Sequence, residues 1–324
     1  MKTLIIGAGP LGSLYTHLFH KSGKDVTLLA RGAHYNFLEE NGLALINEFT
    51  GEKTVVKVPV IDRLHAEDDY DLVIVLMRKN SVLKLLPELS KHKYLGNILF
   101  MGNNSAGFEE YLKYLTKEKI LFGFPGGGGS RLEHVAHYID SEKPSGPRMP
   151  VTIGEIDGQT RDRTKQVVEL FESSEVPIKL VDDIDSWLKY HVAFVLPIAG
   201  ALLKSGDNYL LAKDQANIKE YIMAVREGGK VLKSLGYQKS YNPKQKLFSL
   251  FPKWLLVKIL GKVFDSKFAE VAMMMHVKAA KDEMMELIKE FRELMVQSKV
   301  STPNLESLFN VVDNEIEYLK LKVQ

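Results

Sequence analysis

Cysteine is absent from the 324 residues. Disulfides, thiolate nucleophiles and thiolate-ligated metals are therefore excluded. Neither sign of charge dominates: 43 Lys and Arg face 41 Asp and Glu, for a net charge of +2. Such a balance gives no field for bulk nucleic-acid binding, so nucleic acid is not an expected partner. Long apolar runs are also missing, and none approaches the roughly 18 residues of a membrane span. The longest, Val192 to Leu203, contains Pro197 and reads as a buried helix. The apolar start after Met1-Lys2 is broken by Gly7 and Pro10, too soon for an export signal. Together these absences predict a cytoplasmic protein without stable membrane insertion. Apolar content of 45% and charged content of 26% are those of an ordinary globular chain, long enough for two cores.

What is present begins at once. Thr3-Leu4-Ile5-Ile6 runs straight into Gly7-Ala8-Gly9-Pro10-Leu11-Gly12. A short apolar strand entering Gly-x-Gly-x-x-Gly presents a helix N-terminus to a pyrophosphate. Gly7 permits the tight turn, Gly9 lets the backbone approach the phosphates, and Gly12 lets helix and strand pack closely. A helix through Leu14, Leu18 and Phe19 and a second strand, Val26-Thr27-Leu28-Leu29, supply the strand, turn, helix, strand context that the motif requires.

The end of that second strand bears on the choice of dinucleotide. Sites for NAD usually carry Asp or Glu there, whereas Arg accommodates a 2′-phosphate. Here Ala30-Arg31-Gly32 follows, with no acidic residue before Glu39. A guanidinium suits a phosphate monoester, and NADP(H) is the expected cofactor.

Strands and helices then alternate. Leu43 to Ile46 and Thr54 to Val58 predict a hairpin across Gly51; Asp71 to Met77 is a continuous apolar run, as in a parallel strand covered on both faces. Further strands are expected at Asn97–Met101, Ile120–Phe122, His134–Ile139, Val151–Ile153 and Ile178–Val181, with helices between. This order predicts a Rossmann-type doubly wound parallel sheet. From Asp183 strand signals cease and helical periodicity takes over. The expected organisation is a nucleotide-binding domain over 1–182 and an all-helical domain over 183–324.

In such sheets ligands lie beyond the carboxyl ends of the strands. Arg78-Lys79-Asn80 and Gly102-Asn103-Asn104-Ser105 are polar strand ends, and Asn103 is a candidate for the nicotinamide ribose or the substrate. Gly126-Gly127-Gly128-Gly129-Ser130 reads as a mobile linker or a cofactor-facing loop. In the helical half, Asp185 or Ser186 is the expected N-cap. Lys189 shares a stripe with Val192, Ala193 and Leu196, so it either snorkels to solvent or faces a cleft. Val271 to Gln297 reads as one long helix whose methionines fill a core. It carries His276 and Glu283 seven apart on one face, a spacing most simply read as a surface pair.

Taken in order, these residues resemble the ketopantoate reductase family. The likeness runs from Gly7–Gly12 with Arg31, through Leu76-Met77-Arg78 and Asn103 with Gly107 and Glu109-Glu110. It continues through Trp187-Leu188-Lys189 and Glu283 to Ser301-Thr302-Pro303-Asn304. The resemblance implies a Rossmann domain and a helical domain meeting at a cleft, and NADPH-dependent reduction of the ketone of a 2-keto acid. It implies that Lys189 is the catalytic lysine, that Glu283 assists it and that Asn103 lies near the nicotinamide. Arg78 stands where many members have lysine.

The pattern is not kept throughout. Ala193 and Pro197 stand where ketopantoate-reducing members carry Asn, and Val271-Ala272-Met273-Met274-Met275 lacks the hydroxyl of the family's substrate-holding segment. Asp207 and Asn208 only roughly retain a further polar position. His191 and His276 are candidates to replace the lost ligands, and the methionines suggest a larger or more apolar substrate. Three readings follow: a ketopantoate-type reductase, a reductase of another carbonyl or imine, and an NADP-binding regulator without turnover. The basic amphipathic segment Lys244 to Lys267 reads as a lid or a homodimer contact, with membrane-surface attachment a weaker option.

Overall fold

Strand β1 (Thr3–Ile6) is buried on both faces, and so is β2 (Val26–Leu29), because each is followed by a helix that returns over the sheet. The computed structural model describes residues 1–237 and 243–323. The connecting helix α1 (Pro10–Lys21) carries Pro10 in its first turn, where a missing N–H costs nothing, and buries Leu14, Tyr15, Leu18 and Phe19. Helix α2 (Gly32–Asn41) follows. Then come β3 (Leu43–Asn47), β4 (Lys53–Val56), β5 (Val60–Ile61), β6 (Tyr70–Val75) and α3 (Lys79–Leu89). The order continues β7 (Leu95–Met101), α4 (Glu109–Leu112), β8 (Ile120–Phe124), β9 (Gly128–Leu132), β10 (Val135–Ile139), β11 (Val151–Gly154), α5 (Asp162–Glu172) and β12 (Ile178–Leu180).

These strands form two sheets. The larger has the order β12-β11-β8-β7-β6-β1-β2-β5 and is parallel except where β11 meets β8. Strand order reverses at β1, which leaves a crevice at the carboxyl end of that strand. The smaller sheet, β4-β3-β10-β9, contains the hairpin across Gly51. Gly126 to Ser130 is not a free loop, however: Gly128 and Gly129 begin β9 and pair with Ile139 and Tyr138. Gly129 has φ +155°, and a Cβ there would meet the His137 carbonyl oxygen at 2.1 Å, so its missing side chain serves strand packing.

The remaining described elements are helical: α6 (Ile184–Ser205), α7 (Asn208–Lys213), α8 (Gln215–Ser234), α9 (Pro243–Leu250), α10 (Lys253–Phe264), α11 (Met275–Ala279), α12 (Lys281–Ser298) and α13 (Pro303–Val323). Helix α6 is longer than the apolar run suggests. By length and composition it could cross a membrane, with mean hydropathy 1.3 over its best window, yet 78% of that window is buried within the protein. Asp185 and Ser186 lie inside its first turn, two and three positions past the cap. The expected single helix over Val271 to Gln297 is three pieces. A π-helical segment, Ala269–Met274, leads into α11, and Ala280, at φ −122° and ψ 35°, breaks the chain before α12. Met274 and Met284 are core residues, which answers the methionine pattern without a ligand.

The basic amphipathic segment divides cleanly by face. Leu256, Val257, Leu260 and Phe264 of α10 join the helical core, while Trp254 stays exposed with Lys258 over its ring.

The chain separates into two compact units, Met1–Gly102 with Gly107–Ile184, and Asn103–Ala106 with Asp185 onward. The short turn Asn103–Ala106 thus groups with the helices, although its sequence position lies between sheet elements.

Candidate functional site

In the first unit, the three glycines do three different things. Gly7 has φ +120°, and a Cβ there would lie 2.2 Å from the Leu76 carbonyl oxygen at the end of the β6 run. A Cβ on Gly12 would lie 1.9 Å from the Gly7 carbonyl oxygen, so the start of α1 sits hard against β1 only because that atom is missing. A Cβ on Gly9 would meet nothing within 4 Å among the described residues. The space over Gly9 is therefore open. Gly9 is the N-cap of α1 and no side chain caps the helix, nor is there an acidic residue in its first turn. An uncapped helix start with an open approach is what a pyrophosphate needs.

Around this loop the other anticipated positions are distributed as follows. Ala8 is buried, Pro10 opens the helix, and Leu11 packs where a Cβ on Gly127 would fall. Arg31 is exposed at the N-cap of α2, and Arg78 is exposed at the N-cap of α3. Gly126 is held to α1 by a reciprocal pair of bonds: its N–H donates to Tyr15 Oη at 2.9 Å, and that hydroxyl donates to its carbonyl at 3.2 Å.

One cation was not legible beforehand. Arg131, on β9, donates from Nη1 to the Ala8 carbonyl at 3.1 Å. Burial, then the neighbouring Arg78 charge, pull its pKa below the usual guanidinium value. Two guanidiniums brought together beside a helix N-terminus favour an anion between them. The only hint in the sequence was a lone Arg after a glycine run. Arg131→Ala should weaken dinucleotide binding about tenfold, the scale of one charge-assisted bond, as read by quenching of protein fluorescence on titration. An unchanged affinity would assign Arg131 to loop support alone. Nearby, His34 and His134 stack at 5.4 Å. Burial, Arg131 and His134 hold the His34 imidazolium pKa down to about 4, so this ring is neutral at ordinary pH.

The second unit gathers a different set. Lys189 does not snorkel: it is 3% exposed. Its ammonium pairs with Asp185, one turn earlier on α6, and sits over the Tyr237 ring at 4.9 Å. Tyr190 Oη fixes that segment by donating to the Tyr237 carbonyl at 2.7 Å. A carboxylate and an aromatic face both attract an ammonium. Asp185 is itself partly exposed, so the pair reaches solvent on one side only.

Asn103 and Glu283, separated by 180 residues, meet here: Asn103 Nδ2 donates to Glu283 Oε1 at 3.5 Å, both side chains buried. Among the described residues, Asn103 Oδ1 is buried without a hydrogen-bond partner. An orphaned buried acceptor is costly, and a ligand donor is one way to satisfy it. Glu283 lies in the first turn of α12, where the helix dipole favours its negative charge. His276 Nε2 stands 3.7 Å from Glu283 Oε2, close enough to attract it when protonated. The expected surface pair is thus a buried carboxylate with a half-exposed imidazole beside it.

Three anticipated substrate ligands have other work. His191 stacks on Trp187 at 5.1 Å and 6°. It is two residues from Lys189, hence on the opposite side of α6. Asp207 accepts from Leu210 N at 2.7 Å as the N-cap of α7. Asn208 donates to the Phe264 carbonyl at 2.8 Å and ties α7 to the end of α10. Asp207 and Asn208 thus spend their polar groups on the fold. Ala193, on the Lys189 stripe, packs on Gly228, with 3.2 Å from its Cβ to where a Cβ on Gly228 would fall.

With this geometry in view, the chain can be set beside known proteins. The family profile described as ketopantoate reductase PanE/ApbA matches residues 3–143. A 2-dehydropantoate 2-reductase from Pyrococcus abyssi is 26% identical over 255 residues, 76% of this chain and 79% of that protein. The fold of a 2-dehydropantoate 2-reductase from Geobacter metallireducens superposes with TM-score 0.78 at 19% identity, covering 97% of this chain and 100% of that one. That of a D-mandelate dehydrogenase, solved with NADH and anilino(oxo)acetate, superposes with TM-score 0.79 at 19% identity, covering 99% of each. An ordered glycine loop on a doubly wound sheet, followed by helices that carry Lys189 and Glu283, agrees with these likenesses, and the chain is similar to the ketopantoate reductase family, whose profile it matches over residues 3–143.

Proposed function

We propose that this chain is an NADPH-dependent oxidoreductase that reduces the ketone of a 2-keto acid to a hydroxyl. One observation carries the reading: a lysine buried to 3% exposure and paired with Asp185, in the unit that also buries Asn103 against Glu283. The residues of the glycine loop fit a dinucleotide, since Gly9 leaves room where Gly7 and Gly12 leave none. Gly7, Ala8, Gly9 and Gly12 would hold the pyrophosphate, Arg131 and Arg78 would add positive charge, and Arg31 would meet a 2′-phosphate. Bound NADPH supplies a hydride to the carbonyl carbon.

The chain's own residues do the rest. As the carbonyl oxygen gains negative charge, the Lys189 ammonium stabilises it and gives it a proton. Solvent reaching the partly exposed Asp185 side of the pair returns a proton to the amine. Asn103 offers Oδ1 to a substrate donor and keeps Glu283 oriented. Glu283 and His276 set the charge at that end of the site.

Specificity follows from what the Lys189 stripe lacks. Ala193 and Pro197 offer no side-chain hydrogen bond, and each lost partner costs a small polar acid on the order of 1 kcal/mol. We therefore place apolar 2-keto acids ahead of ketopantoate. Initial rates with a panel of aliphatic, aromatic and hydroxylated 2-keto acids, with NADPH and then NADH, test this. The expected result is turnover with NADPH and higher kcat/KM for apolar side chains. Selective ketopantoate turnover would remove the specificity claim, and no oxidation of NADPH with any 2-keto acid would remove the reaction itself.

A further inference from the structure

The second unit holds another buried carboxylate that the reaction above does not use. Glu290 is 7% exposed, and its Oε2 accepts three hydrogen bonds: from Ser105 N at 3.1 Å, Ser105 Oγ at 3.0 Å and Ala106 N at 3.1 Å. Ser105 is completely buried. Glu290 follows Glu283 by seven residues on α12, so two helical turns bring both carboxylates to one face. Glu283 takes the first residue of the turn Asn103–Ala106, through the Asn103 amide, and Glu290 takes the last two. One helix face thus grips both ends of a four-residue turn.

Fold stability alone is a weak reason for this arrangement, because well-packed apolar groups commonly do as well as a buried charge. What a carboxylate does that a leucine does not is fix a backbone segment in one orientation. Here the fixed segment carries Asn103, whose Oδ1 is buried and unpartnered among the described residues.

We propose that Glu290 is a positioning residue: it locks the Asn103–Ala106 turn so that the Asn103 side chain is held toward Glu283 and the substrate. The inference rests on the reduction reading for its kinetic consequence, but the lock itself is a property of the protein without ligands. In the ligand-free chain, Glu290→Ala should raise amide hydrogen exchange at Ser105 and Ala106 by about tenfold or more. Glu290→Gln, which keeps an acceptor oxygen, should restore most of the protection. With the accepted 2-keto acid, Glu290→Ala should lower kcat by about 10- to 100-fold, the scale of a misplaced group. The KM for NADPH should stay within about twofold, and Glu290→Gln should recover most of kcat.

Unchanged exchange in Glu290→Ala overturns the lock. Raised exchange with wild-type kcat overturns the positioning role. If Glu290→Ala does not fold, Ser105→Ala, which removes one donor, decides: a fall in kcat at constant NADPH KM supports the role, and wild-type kcat overturns it. Should the wild-type chain reduce no 2-keto acid, the reaction reading fails separately. The Asn103 side-chain amide resonances then judge the lock, which requires that they shift in Glu290→Ala.

Discussion

Lys189→Ala should lower the turnover of the accepted 2-keto acid by about 10³-fold, within the range for loss of a positioned general acid, while NADPH still binds. The expectation follows from where the amine sits. It is almost wholly buried, it has a carboxylate one turn away, and the Tyr237 ring covers it. The other lysine of α6, Lys204, lies in its last turn paired with Glu220 and cannot substitute, and alanine leaves the developing alkoxide with neither a cation nor a proton source. Because the two units are distinct and the glycine loop lies in the first, dinucleotide affinity should change little. Pre-steady-state oxidation of NADPH, followed at its own absorbance after mixing with substrate, isolates the chemical step. Adding small primary amines should recover part of the rate by filling the vacated volume with a soluble ammonium. If the variant oxidises NADPH as fast as the wild type, Lys189 has no part in the reaction.

The second large effect separates folding from binding within a single motif. Gly9→Ala and Gly12→Ala are the same chemical change three residues apart. A Cβ at Gly9 meets nothing within 4 Å among the described residues, so this variant should unfold at the wild-type temperature. Its methyl group instead occupies the approach to the α1 N-terminus, and NADPH affinity should fall by about 100-fold, or roughly 2.7 kcal/mol. At Gly12 the added carbon would lie 1.9 Å from the Gly7 carbonyl oxygen. Helix α1 must then move off β1, and thermal stability should fall by about 1–3 kcal/mol, as for overpacked cores. Paired melts and titrations read both quantities. Equal stability loss in the two variants, or undiminished affinity in Gly9→Ala, would show that the loop is a turn rather than a phosphate cradle.

These two expectations differ in how far the sequence led to them. Gly7, Gly9 and Gly12 were assigned separate roles from spacing alone, because a tight turn, an open approach and a close helix contact are local requirements of one short segment. The same local reasoning failed at Gly129. Its freedom is used by a strand pairing with Tyr138, and only the smaller sheet reveals that partner. Asp207 and Asn208 failed for a related reason: a polar residue after a helix reads as a ligand until its cap and carbonyl partners are seen.

Lys189 shows the limit most clearly. Its periodicity put it on a stripe with Ala193 and Leu196 but left open whether that stripe met solvent or a site. His191, a candidate to replace a missing ligand, lies across the helix and stacks on Trp187. Arg131 carried only the hint of its place after a glycine run, and Glu290 no signal at all. One is a lone cation in a strand, the other an ordinary charged residue in an amphipathic helix.

By itself, then, the amino-acid order determined the doubly wound sheet, the nucleotide loop and the change to helices, because hydrophobic period and glycine spacing act over a few residues. Tertiary structure alone decided which buried polar groups meet. Asn103 with Glu283 and Ser105 with Glu290 are pairings across 180 and 185 residues. No local rule reaches so far, since only the packing of α12 against that turn makes each carboxylate cheaper to bury with its donor than without.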